Sequence, residues 1–409
     1  MSNIAQSWGR SALGALQSQG FSGSLRTDYF SSDKALTDET DLFGISAQAK
    51  VLPTFTDNLD GKLEVRLSDF DVVGGHETDA TLLEAYLSLH NTIGQVRLGK
   101  QIVAWGRADR INPTDNLTPR DFTVLLPFEE DQRFGTYALM LDTYLSDDLT
   151  LEVFTTPFFE PSIIPFSRDE AIVVDIRPAH RLSNSEVAIK LDKSGGQVDW
   201  SLSYFHGYSL FPDIRLQGFA DRSPIVEFRY HQMDVLGADI ATNFGRYGFR
   251  AEAAYFHAAD RDGTDPTIKN PYLFYVVGVD RTFYEHLNVN VQLFGRHVRH
   301  FTSLETIADP VQHEVAVVNA IVNGQQDEFS NGASMRVSNR WLNDTLEAEL
   351  LGILDFTRSN TYLRPLLTYA LTDDIRCSLG GELYLGADNT FFGRLKENSG
   401  LFFELRYSF

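Results

Sequence analysis

Cysteine is almost missing from this 409-residue chain. Cys377 stands alone, which excludes a disulfide framework and a cysteine-based metal centre. No uninterrupted apolar run approaches the length of a membrane-spanning helix, about 20 residues. Basic residues are the minority, 35 Lys and Arg against 56 Asp and Glu, and the net charge of −21 argues against nucleic acid as a partner. A charged n-region followed by an apolar h-region is not found at the start, so in an exported protein Met1 would replace a removed signal peptide. No Pro/Ser-rich linker divides the chain, so length alone does not set its domain count. Repeats of about 20–50 residues, the mark of a propeller or solenoid, are not visible.

What is present alternates. In the last nine residues Leu401, Phe403, Leu405, Tyr407 and Phe409 form one apolar row, with Glu404, Arg406 and Ser408 on the other face. Strands between lipid and water alternate in this way. About eighteen such segments can be placed, from 21–30 and 43–52 to 373–384 and 399–409, with 16 as the fallback count. Their connections sort by parity. Short turns such as Ser146-Asp147-Asp148, Phe244-Gly245-Arg246 and Thr372-Asp373-Asp374 alternate with the connections 31–42, 71–80, 104–134, 156–183, 207–231, 258–271, 299–329 and 385–398. A soluble sandwich has no reason to sort its loops, whereas a transmembrane barrel does. The reading is therefore an all-β, antiparallel transmembrane barrel over 20–409, preceded by a helix or tail over 1–19. The 16 Tyr, 30 Phe and 4 Trp suit its aromatic girdles.

The face opposite the apolar rows lines the lumen. It carries Arg66, Glu84, Arg97, Arg250, Glu252, Arg296, Arg336, Arg364, Arg376, Glu382 and Arg406. Six of these arginines fall in the second half of the chain, where they could form a basic strip for carboxylate or phosphate groups. The acids interleaved with them favour ion pairs between neighbouring strands instead. The connection 104–134 is the candidate constriction, through Arg107, Asp109, Arg110, Asp115, Arg120, Asp121, Glu129, Glu130 and Arg133. Its Asn112-Pro113 and Thr118-Pro119 pairs are turn signals, so it reads as ordered backbone, either a salt-bridged plug in the lumen or a lid on the rim. In 299–329, Asp309-Pro310 starts a helix that places Val311, Val315, Val318 and Val322 on one face. The apolar stretch 157–166 could meet a greasy solute, pack on neighbouring loops or lie in the membrane interface.

No phosphate-binding glycine loop, HExxH pair or GxSxG elbow occurs, so neither catalysis nor a cofactor or metal is expected. The strand ending in Phe409, the alternation and the loop parity resemble the porin-type outer-membrane barrels of Gram-negative bacteria. The plan is similar to the 18-stranded channels, which include substrate-specific porins and alginate-exporter-like barrels. The stretch from Gly99-Lys100-Gln101 through Trp105-Gly106-Arg107 to Asn112-Pro113 looks like a signature of that group. The resemblance implies a bacterial outer-membrane location, contact with lipid and lipopolysaccharide, and reading of the Phe409 strand by the barrel assembly machinery. It implies a channel for small hydrophilic solutes or ions; a polysaccharide exporter with a periplasmic partner and an uptake channel for apolar compounds are the alternatives. Alginate exporters present a strongly basic conduit, from which the −21 balance and mixed lumen depart. A monomer is expected, because no strand gives up its apolar row to a polar interface.

Overall fold

The computed structural model describes residues 20–32, 40–72, 75–123, 128–166 and 171–409; the helix or tail expected over 1–19 lies outside them. Eighteen strands close a barrel. The first nine are β1 (Phe21–Phe30), β2 (Leu42–Val51), β3 (Leu59–Val72), β4 (Gly75–Asn91), β5 (Gly94–Gln101), β6 (Thr136–Ser146), β7 (Leu149–Thr156), β8 (Glu186–Lys193) and β9 (Val198–Tyr208). The rest are β10 (Gln232–Phe244), β11 (Tyr247–His257), β12 (Tyr272–Phe283), β13 (Leu287–Val298), β14 (Phe329–Trp341), β15 (Leu346–Asp355), β16 (Asn360–Ala370), β17 (Ile375–Leu385) and β18 (Gly400–Ser408). Each pairs antiparallel with its sequence neighbours, and β18 returns to β1 with Arg406 opposite Arg26. Phe409 completes the seam: its N–H donates to the Gly23 carbonyl at 3.0 Å and its carbonyl accepts from Gly23 at 2.9 Å. Closure leaves no unpaired sheet edge in lipid, where an unsatisfied amide is costly.

The faces sort as the alternation requires. Leu401, Phe403, Leu405 and Tyr407 are turned outward, while Glu404 is 1 % exposed inside. Asn290 and Gln292 are buried on the inner row of β13, with Leu293 outside. A closed barrel with outward apolar rows and short turns at one end is a bacterial outer-membrane barrel. Gly245, at φ +62°, takes the left-handed position that the two-residue turn between β10 and β11 needs.

Two expectations need correction. The long connection expected over 71–80 is a hairpin, since β3 runs to Val72 and β4 starts at Gly75. Backbone pairing does not depend on the side chains' polarity, so a ladder can run on past the membrane where the apolar alternation stops. The connections 156–183 and 207–231, in which no strands were expected, carry a second sheet: Ile172–Ile176 runs parallel to Ser223–Arg229, which pairs antiparallel with Asp213–Ala220.

This sheet forms a lid with helix α1 (Pro310–Val322), which Asp309 caps by accepting from Gln312 N–H at 2.8 Å. Val315, Val318 and Val322 pack on Ala171, Ile214, Val226 and Phe228, and Ile164 and Phe166 of the apolar stretch join them. The stretch thus packs on neighbouring loops. Beneath the lid Lys269 Nζ donates to Ser209 Oγ at 2.8 Å and the Phe211 carbonyl at 3.0 Å. It lies 3.3 Å from Asp213, which also holds His231 Nδ1 at 2.8 Å. Burial works to raise the Asp213 carboxyl, but Lys269 and His231 outweigh it and hold it below the ordinary value of 3.8.

Candidate functional site: an arginine-lined cavity beside an infolded loop

The chain leaves β5 at Gln101, whose buried amide donates to the Ala138 carbonyl at 2.9 Å, and turns into the barrel. One half of the inner wall is apolar there: Phe154, Ala188, Phe205, Val235 and Phe256 are buried on β7 to β11. Val103, Trp105 and Leu117 of the loop pack on that wall, which removes their apolar surface from water. Trp105 Nε1 donates to Glu152 at 3.0 Å, so the buried indole keeps its polar partner.

Glu252 on β11 then holds the backbone. It accepts from Arg107 N–H at 3.2 Å, Ala108 N–H at 3.3 Å, Thr114 N–H at 2.7 Å and the Thr114 hydroxyl at 2.8 Å. Gly106 makes this approach possible. Its φ is +100°, and a Cβ there would sit 2.7 Å from a Glu252 oxygen.

From this anchor the loop spans the lumen by charge. Arg107 donates to Asp192 at 2.9 Å and lies 2.9 Å from Asp239. Asp109 accepts from Arg336 at 2.8 Å, and Arg110 lies 3.3 Å from Glu349. Asp131 accepts from Arg26 at 2.6 Å and lies 3.7 Å from Arg406, while Arg66 donates to its carbonyl at 2.6 Å. Within the loop, among the described residues, Asp115 pairs with Arg120 at 3.2 Å and with Arg133. The salt bridges therefore tie the loop to the wall more than to itself.

A cavity of about 460 Å³ remains between the loop and β14 to β18. Among the described residues seven arginines line it, Arg110, Arg120 and Arg133 from the loop and Arg336, Arg364, Arg376 and Arg406 from the wall; four carboxylates oppose them, Asp109, Glu347, Glu349 and Glu404. Arg376 stands directly opposite Arg406 in the ladder, and Arg406 opposite Arg26. Like charges at facing positions cost stability. Arg26 and Arg406 are offset by Asp131 and Glu404. Arg376 has no carboxylate within ion-pair distance among the described residues. Arg364 is 4 % exposed, its Nη2 has no hydrogen-bond partner among the described residues, and Glu382 lies 3.8 Å away, held by the Tyr362 and Tyr384 hydroxyls at 2.9 Å each. Pairing between strands thus neutralises only part of the arginine row.

The expected site residues divide accordingly. Asp109, Arg110, Arg120, Arg133, Arg336, Arg364, Arg376 and Arg406 meet at the cavity. Arg107 and Glu252 lie behind the loop as anchors, and Asp115 ties Arg120 to Arg133. Asp121 turns away, accepting from Thr123 N–H at 2.9 Å. Glu129 and Glu130 lie in a short 3-10 turn, their side chains outside the described residues. Glu84 accepts from Ile102 N–H at 2.9 Å and pairs with Lys62, Arg97 lies 3.8 Å from Asp142, and Arg250 pairs with Asp280 at 2.6 Å. Arg296 closes the end of α1, donating to the Asn323 and Gly324 carbonyls at 2.5 and 2.7 Å. Arg26 is the member that sequence reading missed. Its signal was available, a charge on the inward row of the first strand.

A family model described as "Protein of unknown function (DUF1302)" matches residues 16–409. The chain belongs to this family. No curated protein matches it in sequence. Among solved structures it is similar to Acinetobacter baumannii OccAB1, with a TM-score of 0.55 and 10% identity over 95% of this chain and 96% of that one. Pseudomonas aeruginosa OccD3 (OpdP) gives a TM-score of 0.52 at 11% identity, covering 96% and 91%. Pseudomonas aeruginosa OpdK, solved with vanillate, gives 0.55 at 9% identity, covering 95% and 98%. At these identities the DUF1302 barrel shares a fold with them.

Proposed function

We propose that the protein is an outer-membrane channel for small anionic solutes, carboxylates above all, with the loop over 104–134 as its selectivity constriction. The excess of arginine over acid in the cavity carries this reading, with Arg364 and Arg376 as the groups least satisfied by the protein itself. A guanidinium with open donors binds carboxylate bidentately, and several in succession let a solute pass from one to the next without tight capture. The negative surface does not oppose this, because selectivity is set where the passage is narrowest. OpdK, which shares the fold, was solved with vanillate, a small carboxylate.

The alternatives lose support. Export of a polymer would need a loop cross-linked at Asp109, Arg110 and Asp131 to leave the lumen. Uptake of apolar compounds would need the apolar wall, which Trp105 and Leu117 cover.

Reversal potential in a planar bilayer under a potassium chloride gradient tests the proposal. The native channel is expected to prefer chloride, and the double substitution Arg364→Glu, Arg376→Glu to reverse the sign. A cation-selective native channel, or a reversal potential indifferent to both substitutions, would overturn it.

A further inference from the structure

The barrel's outer face breaks its apolar rule at Arg281. On β12 the inward row carries Asp280, bonded to Arg250, so the adjacent Arg281 falls in the outward row with Leu273, Val277 and Phe283. Its ladder partner on β13 is Val289. It stands near the short-turn rim, two residues before β12 ends and beside Tyr247, the first residue of β11.

The guanidinium there is held and only partly satisfied. Its carbon lies 4.7 Å from the Tyr247 ring centroid and 4.4 Å from that of Phe283. Its one hydrogen bond among the described residues goes from Nη1 to the Tyr247 hydroxyl at 2.5 Å. Among the described residues buried Nε has no partner, and no carboxylate lies within ion-pair distance. An outward arginine costs about 2–4 kcal/mol at the bilayer midplane and about 0–1 near an interface, so its height fits the headgroup region. Two ring faces fix the plane of the fork and screen it from water.

We propose that Arg281, Tyr247 and Phe283 form a binding site for the phosphodiester of an anionic phospholipid in the leaflet at the short-turn end. The planar fork matches phosphate geometry bidentately. The rings and Val289 accept the adjoining acyl chain, and the lack of any described carboxylate within ion-pair distance of Arg281 favours a headgroup without a compensating amine. The site lies outside the lumen and does not depend on what the channel conducts.

Native mass spectrometry of the full barrel, released from detergent with phosphatidylglycerol or chain-matched diacylglycerol, tests this. The native protein is expected to retain phosphatidylglycerol over diacylglycerol, and Arg281→Gln to lower that retention about fivefold, the effect of one basic group at an anionic surface. Arg281→Lys, which keeps the charge and loses the fork, is expected to fall between them. Gel mobility before and after boiling confirms folding; where Arg281→Gln does not fold, Arg281→Lys and Tyr247→Leu carry the test. Equal retention by folded native and substituted proteins would overturn the site and leave Arg281 solvated by interfacial water. Displacement of the lipid by excess inorganic phosphate would overturn the lipid assignment in favour of a free-phosphate site.

Discussion

Asp109 and Arg336 meet across the lumen at 2.8 Å, 227 residues apart in sequence. Arg336 also lies 3.6 Å from Glu349, so one wall arginine serves two acids, one of them on the loop. The bond holds the free side of the loop; its other side is packed on the apolar wall. Arg336→Ala is expected to cost about 1–3 kcal/mol, as for loss of a charged hydrogen bond, and to raise both conductance and current noise. Asp109→Asn added to it is expected to cost less than the two separate effects together, because the partners are coupled. Additive effects on the unfolding midpoint would show that the pair does not hold the loop.

Glu252 anchors the other side. Glu252→Ala strands three backbone N–H groups and the Thr114 hydroxyl, and is expected to destabilise the barrel by about 2–4 kcal/mol, as when a buried hydrogen-bonded charge is removed. Glu252→Gln keeps acceptor capacity and is expected to cost less. Heat-modifiable gel mobility against temperature gives the order, and an unchanged midpoint for Glu252→Ala would remove its assignment as the anchor.

The lid responds to acid through Asp213. Its carboxyl is held below the ordinary 3.8, so the folded lid binds fewer protons there than the unfolded chain. Its contribution to stability is complete above 3.8 and declines as pH falls through the folded value. Amide protection factors over 213–229, measured against the unfolded chain at the same pH, are expected to be high at neutral pH and to fall below about pH 4. Asp213→Asn is expected to lower them at neutral pH and to flatten the acid response. Protection factors in the native lid that do not change down to about pH 3 would sink this reading.

Much of this was legible in the residues. A barrel strand meets lipid on one side and water on the other, so Leu401, Phe403 and Leu405 alternate with Glu404 and Arg406 without reference to the rest of the chain. Loop parity follows from the same geometry, and it placed the strands within a few residues of their ends, except that β4 starts at Gly75 inside the connection expected over 71–80. The lid sheet left no such trace. Its strands pack on loops and a helix above the membrane, and nothing forces strict alternation on Asp213–Ala220.

Local sequence determined the strands, their inward charges and the loop to watch, because each depends on residues close together in the chain. Which charges answer one another was decided only by closure. Arg107 and Arg110 have acids beside them in sequence, yet they pair with Asp192 and Glu349 on distant strands, because the apolar packing of Trp105 fixes where the loop lies before its charges are matched. The same packing set where the cavity lies. With one half of the lumen filled by the loop, the cavity falls against β14 to β18, where, among the described residues, Arg364 Nη2 has no hydrogen-bond partner and Arg376 no carboxylate within ion-pair distance.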